Sequence, residues 1–99
     1  MSYEVSYHNY VADPETLRHA NETRVVPLLR DIPGFEDSVI EFADEPDGRG
    51  YQCVWVMRWD GWESFMAKFA HPGYQAADAI VQDLFLLKSP ETKSEVRPA

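Results

Sequence analysis

The stretch Tyr51-Gln52-Cys53-Val54-Trp55-Val56-Met57-Arg58-Trp59 constrains the fold more than any other part of this chain. Its aromatic and β-branched residues read as a strand whose parity sends Tyr51, Cys53, Trp55, Met57 and Trp59 one way and Val54 and Val56 the other. A strand that is apolar on both faces belongs in the middle of a sheet covered on both sides. The chain has 99 residues, enough for one compact domain over 1–99 and too few to build a cover for both sheet faces.

The remaining segments supply the neighbours of that strand. Tyr3 to Val11 is rich in Tyr and Val, alternates, and stops before Asp13-Pro14. Asp13 is placed to cap a helix, Pro14 suits its first position and Glu15 its positive end, so a helix is predicted from about Pro14 to Leu29. Pro27 lacks an N–H and crowds the carbonyl of Thr23, which predicts a kink. Ile32-Pro33-Gly34 ends the helix. Asp37 to Ala43 reads as a second strand, with Val39 on one side and Ile40 and Phe42 on the other, and residues 44–50 form a polar hairpin loop. Beyond the central strand, Trp62, Phe65, Met66 and Phe69 fall at helical spacing. His71-Pro72-Gly73 interrupts them, Tyr74, Ala77, Val81 and Leu84 resume the period to about Leu84, and a last strand is predicted over Thr92 to Val96.

The order β-α-β-β-α-β is the ferredoxin-like α+β plan, a four-stranded antiparallel sheet with its helices on one face. The other face of the central strand then needs a cover. Each large apolar side chain buried there is worth about 1.5–3 kcal/mol, so two copies packed sheet to sheet as a homodimer are predicted. A terminal segment folded over the sheet is the alternative, but almost no residues are left to form it.

Charge and cysteine content exclude several function classes. With 17 acidic against 9 basic residues and a net charge of -8, the chain has no basic stripe, so neither nucleic acid nor an anionic membrane is an expected partner. Cys53 is the single cysteine, which rules out an internal disulfide, a thiolate zinc cluster and a CxxC pair, and fits a cytoplasmic location. The opening MSYEVSYHNY has no basic region and no long apolar run, so no signal peptide or membrane span is predicted. No HxH, HxxxH or HExxH spacing links His8, His19 and His71, and no Gly-rich phosphate loop or dinucleotide fingerprint is present; no metal and no cofactor is expected.

On a wheel of the first helix, Leu17, Val25, Leu28 and Ile32 define the inward face, Asn21 falls in its middle and Arg24 at its edge. Two readings stand. Asn21 bonds to a neighbouring strand or buried water while Arg24 reaches solvent or pairs with a carboxylate, or both line a cavity in which Arg24 binds a carboxylate, phenolate or enolate oxygen. His71, at a helix break, either fixes the turn or acts as a general base. His8 and His19 fall on outward positions. Tyr7, Trp55, Trp59, Trp62, Phe65, Phe69 and Tyr74 fill a core, and the same rings suit a flat aromatic ligand. Cys53 reads as a small buried hydrophobe.

The phrases 21–29 (NETRVVPLL), 31–35 (DIPGF), 58–60 (RWD) and 70–76 (AHPGYQA) resemble the dimeric α+β barrel superfamily over nearly the whole chain. They are most similar to its EthD-like branch, whose first helix carries an acidic-Thr-His segment followed by Pro-Leu and an Ile-Pro-Gly turn. The Trp-acidic pair Trp59-Asp60 resembles the antibiotic-biosynthesis monooxygenase branch, and His71-Pro72 the stress-responsive branch that includes aromatic polyketide cyclases. The chain departs from each pattern: the EthD-like histidine is Arg24 or Val25, the cyclase-like histidines are Tyr74 and Cys53, and the monooxygenase-like asparagine is Trp55.

What the resemblance implies is a small cofactor-independent enzyme acting on an aromatic or polyketide-like molecule. The expected chemistry is proton abstraction with stabilisation of an enolate or phenolate, in a cyclase, isomerase or monooxygenase. Arg24, His71 and Tyr74 are the expected catalytic residues, and Tyr7, Asn21, Cys53, Trp55 and Trp59 the expected substrate-binding ones. A non-catalytic small-molecule-binding or stress-associated homodimer is the alternative.

Overall fold

A computed structural model describes residues 1–88 and 93–99. Strand β1 (Tyr3–Val11) leads through the capping residue Asp13, whose side chain accepts from the Glu15 N–H, into α1 (Pro14–Ala20). A π-helical turn (Asn21–Val25) and a short α2 (Val26–Leu29) complete the first helical arm. Then come β2 (Phe35–Phe42), β3 (Tyr51–Trp59), α3 (Trp62–Ala67), a 3₁₀ turn (Lys68–Ala70), α4 (Pro72–Leu84) and β4 (Lys93–Pro98). The sheet is antiparallel in the order β2-β3-β1-β4, and β3 is central as its residues require. The last strand falls where predicted, two residues longer at its end; Thr92 lies outside the described residues.

Pro27 acts differently from the predicted kink. The Thr23 carbonyl cannot receive an i+4 donor from a proline, and the preceding turn widens instead, with the Val26 N–H bonding to the Asn21 carbonyl. Widening changes which residues point inward. Leu17, Asn21, Val25 and Leu29, four apart each time, are all buried, a spacing that in an unbroken 3.6-residue period drifts about 40° at each step. Leu29 therefore takes the deep position expected of Leu28, and Arg24 stays exposed.

The helices pack against Val5, Cys53, Trp55, Met57 and Trp59, all essentially inaccessible. On the open face, Val39, Val54 and Val56 form an apolar strip across adjacent strands. The parity is as predicted: every aromatic of β3 turns towards the helices, and Gln52 and Arg58 occupy the two ends of its open side. Glu4 sits near one end of the strip, bonded to Arg97 at 2.9 Å and Arg58 at 3.3 Å. The hydrogen bond from Arg97, with help from Arg58, holds its carboxyl below the usual range.

Gly34 shows how the turn after the first arm is locked. It has φ +86°, and a Cβ there would collide with Ser64 and Asp60, which hydrogen-bond each other at 2.6 Å. The Asp60 N–H in turn donates to the Gly34 carbonyl at 2.8 Å, tying the Ile-Pro-Gly turn to the end of β3.

Candidate active site around Lys68

The predicted amphipathic face Trp62-Phe65-Met66-Phe69 is rotated. Phe65 is buried, whereas Trp62, Met66 and Phe69 are each about half exposed (51%, 48% and 48%). Lys68, three residues after Phe65, takes the inward position and is fully buried. Tightening to a 3₁₀ turn at Lys68–Ala70 ends the helix there, and the His71 N–H bonds to the Lys68 carbonyl at 2.9 Å.

The Lys68 ammonium is enclosed by rings. Nζ stands 3.2 Å from the centroid of Phe69, 4.2 Å from Phe65 and 4.7 Å from Tyr74, and among the described residues it has no hydrogen-bond partner. Burial lowers its pKa to about 8; the nearby Asp78 carboxylate opposes that shift and is itself raised by burial. Beside it the Tyr74 and Tyr7 hydroxyls meet at 3.2 Å, and burial pushes both phenols up.

Trp55 backs this pair. Its ring lies parallel to Tyr74 (6.5 Å, 9°) and 5.4 Å from Tyr7. Its orientation is fixed from behind: Trp55 Nε1 donates to Ser38 Oγ at 2.9 Å, and Ser38 Oγ donates to Asn21 Oδ1 at 2.9 Å. Asn21 Nδ2 donates to the Ser38 carbonyl at 3.2 Å, so the amide is bonded to the strand, the first of its two readings.

Of the residues singled out from sequence, the fold thus brings together Tyr7, Trp55 and Tyr74, with Asn21 reaching Trp55 through Ser38. The others lie apart. Arg24 is exposed on the π-helical turn, which corrects its expected place at the edge of the inward face. His71 caps α4, its Nδ1 accepting from the Gly73 N–H at 3.0 Å, and adding a Cβ at Gly73 would press on the Leu28 carbonyl at 2.7 Å. Trp59 is buried edge-on to Phe35, with Nε1 unpartnered among the described residues. Cys53 faces a cavity of about 260 Å³ lined also by His8, Arg49, Gln52 and Lys93, and burial raises its thiol to about 11, away from nucleophilic use. A second, open groove of about 350 Å³ runs between the first helical arm and β2, past Arg18, Asn21 and Arg30.

Lys68 and Asp78 are the additions that sequence reasoning missed. The available signal was the i, i+3 spacing from Phe65 to Lys68, outweighed by the larger apolar residues on the neighbouring face. Among the described residues no group of three or more His, Cys, Asp or Glu converges to hold a metal, and no helix is long and apolar enough to cross a membrane.

No family model and no curated protein matches the sequence. Solved structures do match. A monooxygenase from the gene ActVA-Orf6 of Streptomyces coelicolor, in complex with nanaomycin D, is 18% identical with TM-score 0.70, over 99% of this chain and 87% of that one. SnoaB, a cofactor-independent oxygenase from Streptomyces nogalater, is 14% identical with TM-score 0.66, over 99% and 92%. A dimeric ferredoxin-like protein of unknown function from Thermobifida fusca is 18% identical with TM-score 0.70, over 100% and 92%. The chain therefore has the ferredoxin-like α+β fold that these proteins share.

Proposed function

We propose that the chain is a small, cofactor-independent enzyme acting on an aromatic or polyketide-like molecule at Lys68, Tyr74 and Tyr7. The reaction is removal of a proton from an activated carbon or phenol, followed by cyclisation, isomerisation or oxygenation. One observation carries this reading: a fully buried amine without a hydrogen-bond partner, beside a pair of phenol hydroxyls and the face of a tryptophan. An amine lowered to about 8 has a neutral fraction near neutral pH and serves as the base. The proton passes to Nζ and the electron pair of the broken bond moves onto the substrate oxygen.

The resulting ammonium faces that oxyanion in a dry site, where attraction between opposite charges is strong. Two hydroxyls that meet use one proton between them, which leaves the other free to donate to the same oxygen. The role expected of Arg24, stabilising developing negative charge, thus falls to Lys68, and the turn-fixing reading of His71 agrees with its capping bond. That two proteins of this fold are a cofactor-independent oxygenase and a monooxygenase bound to nanaomycin D supports the class of reaction.

We also propose that the chain is a homodimer joined through the open sheet face, where Val39, Val54 and Val56 lie together; the dimeric Thermobifida protein supports this arrangement. The single buried thiol suits a reducing cytoplasm.

The test compares wild type with Lys68→Met and Arg24→Met on phenolic and β-dicarbonyl compounds, after folding is checked by circular dichroism. Loss of a base predicts a fall of roughly 100-fold or more in Lys68→Met, with Arg24→Met close to wild type. The wild-type rate should climb with pH through about 8 as Lys68 loses its proton. Full turnover in Lys68→Met would overturn the assignment of Lys68 as the base, and no turnover by the wild type on any of these compounds would favour the non-catalytic binding homodimer.

A further inference from the structure

We infer that Lys68 is a nucleophile that condenses with an aldehyde or ketone group of the substrate to form an iminium ion. The inference rests on the reading above in placing the substrate against Lys68, and it narrows the substrate to a carbonyl compound carrying an aromatic ring.

Three features of the site meet the requirements of that step. The lone pair of the neutral amine is uncommitted, since Nζ has no hydrogen-bond partner among the described residues. The cage then suits the product. An iminium ion keeps one positive charge but spreads it over a flat C=N group, and the rings of Phe65, Phe69 and Tyr74 already hold a cation at 3.2–4.7 Å from their centroids. The third feature is the cover: the Phe69 ring, whose centroid is 3.2 Å from Nζ, belongs to a side chain about half exposed to solvent. The proposal requires that side chain to swing aside and admit the substrate.

The atoms and charges balance without an oxidant or reductant. The nitrogen lone pair adds to the carbonyl carbon, the C=O π pair moves to oxygen, and a proton passes from nitrogen to that oxygen to give a carbinolamine. One further proton, taken up from solvent, lets the oxygen leave as water while nitrogen forms the C=N bond. The Tyr7–Tyr74 hydroxyl pair, on the ring that flanks Nζ, can donate a hydrogen bond to the departing oxygen. With the carbonyl turned into an iminium, a proton on the adjacent carbon is acidified; because Nζ no longer has a lone pair, that proton passes to a water molecule, and the electron pair of the C–H bond moves in to give an enamine, the nitrogen counterpart of an enolate. Burial supports this use of Lys68 by lowering its pKa to about 8, as desolvation does for amine nucleophiles generally.

The full-length protein should be incubated at pH 8 with 4-hydroxybenzaldehyde and sodium cyanoborohydride, which reduces an iminium to a stable secondary amine, and then mapped by peptide mass spectrometry. Lys88 and Lys93, both exposed, are internal controls. The expected result is labelling of Lys68 about tenfold or more faster than either control, in the wild type or once access is widened in Phe69→Ala or the milder Phe69→Leu. Labelling of Lys68 no faster than the controls in all three folded proteins would overturn the proposal. If that failure comes with lost turnover in Lys68→Met, proton abstraction by Lys68 stands and only the covalent step falls. If Lys68 is labelled and Lys68→Met keeps its turnover on the other substrates, the reverse holds.

Discussion

Replacing Lys68 with methionine should stabilise the protein at pH 7 and leave it almost unchanged at high pH. Methionine keeps an unbranched stem of similar length and removes only the charge, so packing around Phe65 and Tyr74 is largely preserved. The wild-type amine titrates near 8 when folded against an ordinary value of 10.5, a gap equivalent to about 3 kcal/mol. Linkage makes that gap the net penalty for the charged, folded form, with what the three rings return already included, so about 3 kcal/mol is its upper value. Below pH 8 the folded and unfolded chains both carry the proton, and the whole penalty is felt. Between pH 8 and 10.5 the folded chain has released it while the unfolded chain still holds it, so wild-type stability rises with pH through that window. Urea unfolding of both proteins at pH 7 and pH 10 measures the effect: the advantage of Lys68→Met should be about 1–3 kcal/mol at pH 7 and most of it should vanish at pH 10. A Lys68→Met protein less stable than wild type at pH 7, or an advantage independent of pH, would refute the argument that a buried charge is held at a cost in this cage.

Other outcomes follow from the turns and the open face. Gly34→Ala should cost about 1–3 kcal/mol in chemical denaturation, since Gly34 has positive φ and its missing Cβ space is taken by Ser64 and Asp60. His71→Ala should lose about 1 kcal/mol while His71→Asn retains the cap and the activity; activity lost in a stable His71→Asn protein would instead make the imidazole catalytic. Val56→Asp should sediment as a monomer while keeping the wild-type circular dichroism, because an unpaired carboxylate would enter the proposed interface. A dimeric Val56→Asp of unchanged stability would show that the subunits pair through another face.

The strands were legible because their evidence is local. In β3, alternation and residue type together name the span Tyr51–Trp59, its central place and the direction of each side chain, and Asp13-Pro14-Glu15 marks a helix start by cap chemistry alone. The bonding of Asn21 and the capping by His71 were present among the readings, since each needs only a polar group near backbone partners. In the first helical arm the wheel placed Leu17, Asn21, Val25 and Ile32 correctly and failed at Leu28. A wheel assumes a constant 3.6 period, and one wide turn beside Pro27 moved Leu29 into the core.

By itself, the sequence determined the order of elements and the antiparallel sheet, because these follow from periodicity, caps and breakers acting over a few residues. The position of Lys68 was decided by tertiary structure. Phe65 and Lys68 share one face of α3 and its 3₁₀ extension, and Trp62, Met66 and Phe69 share the adjacent one; both faces bear large apolar surface. The choice between them depends on what lies opposite: Tyr74 of α4 sets its ring against Lys68 and Phe69, while Tyr3 of β1 holds Trp62 at the surface. Those partners come from distant parts of the chain, and only their convergence turns an ordinary lysine into a buried amine.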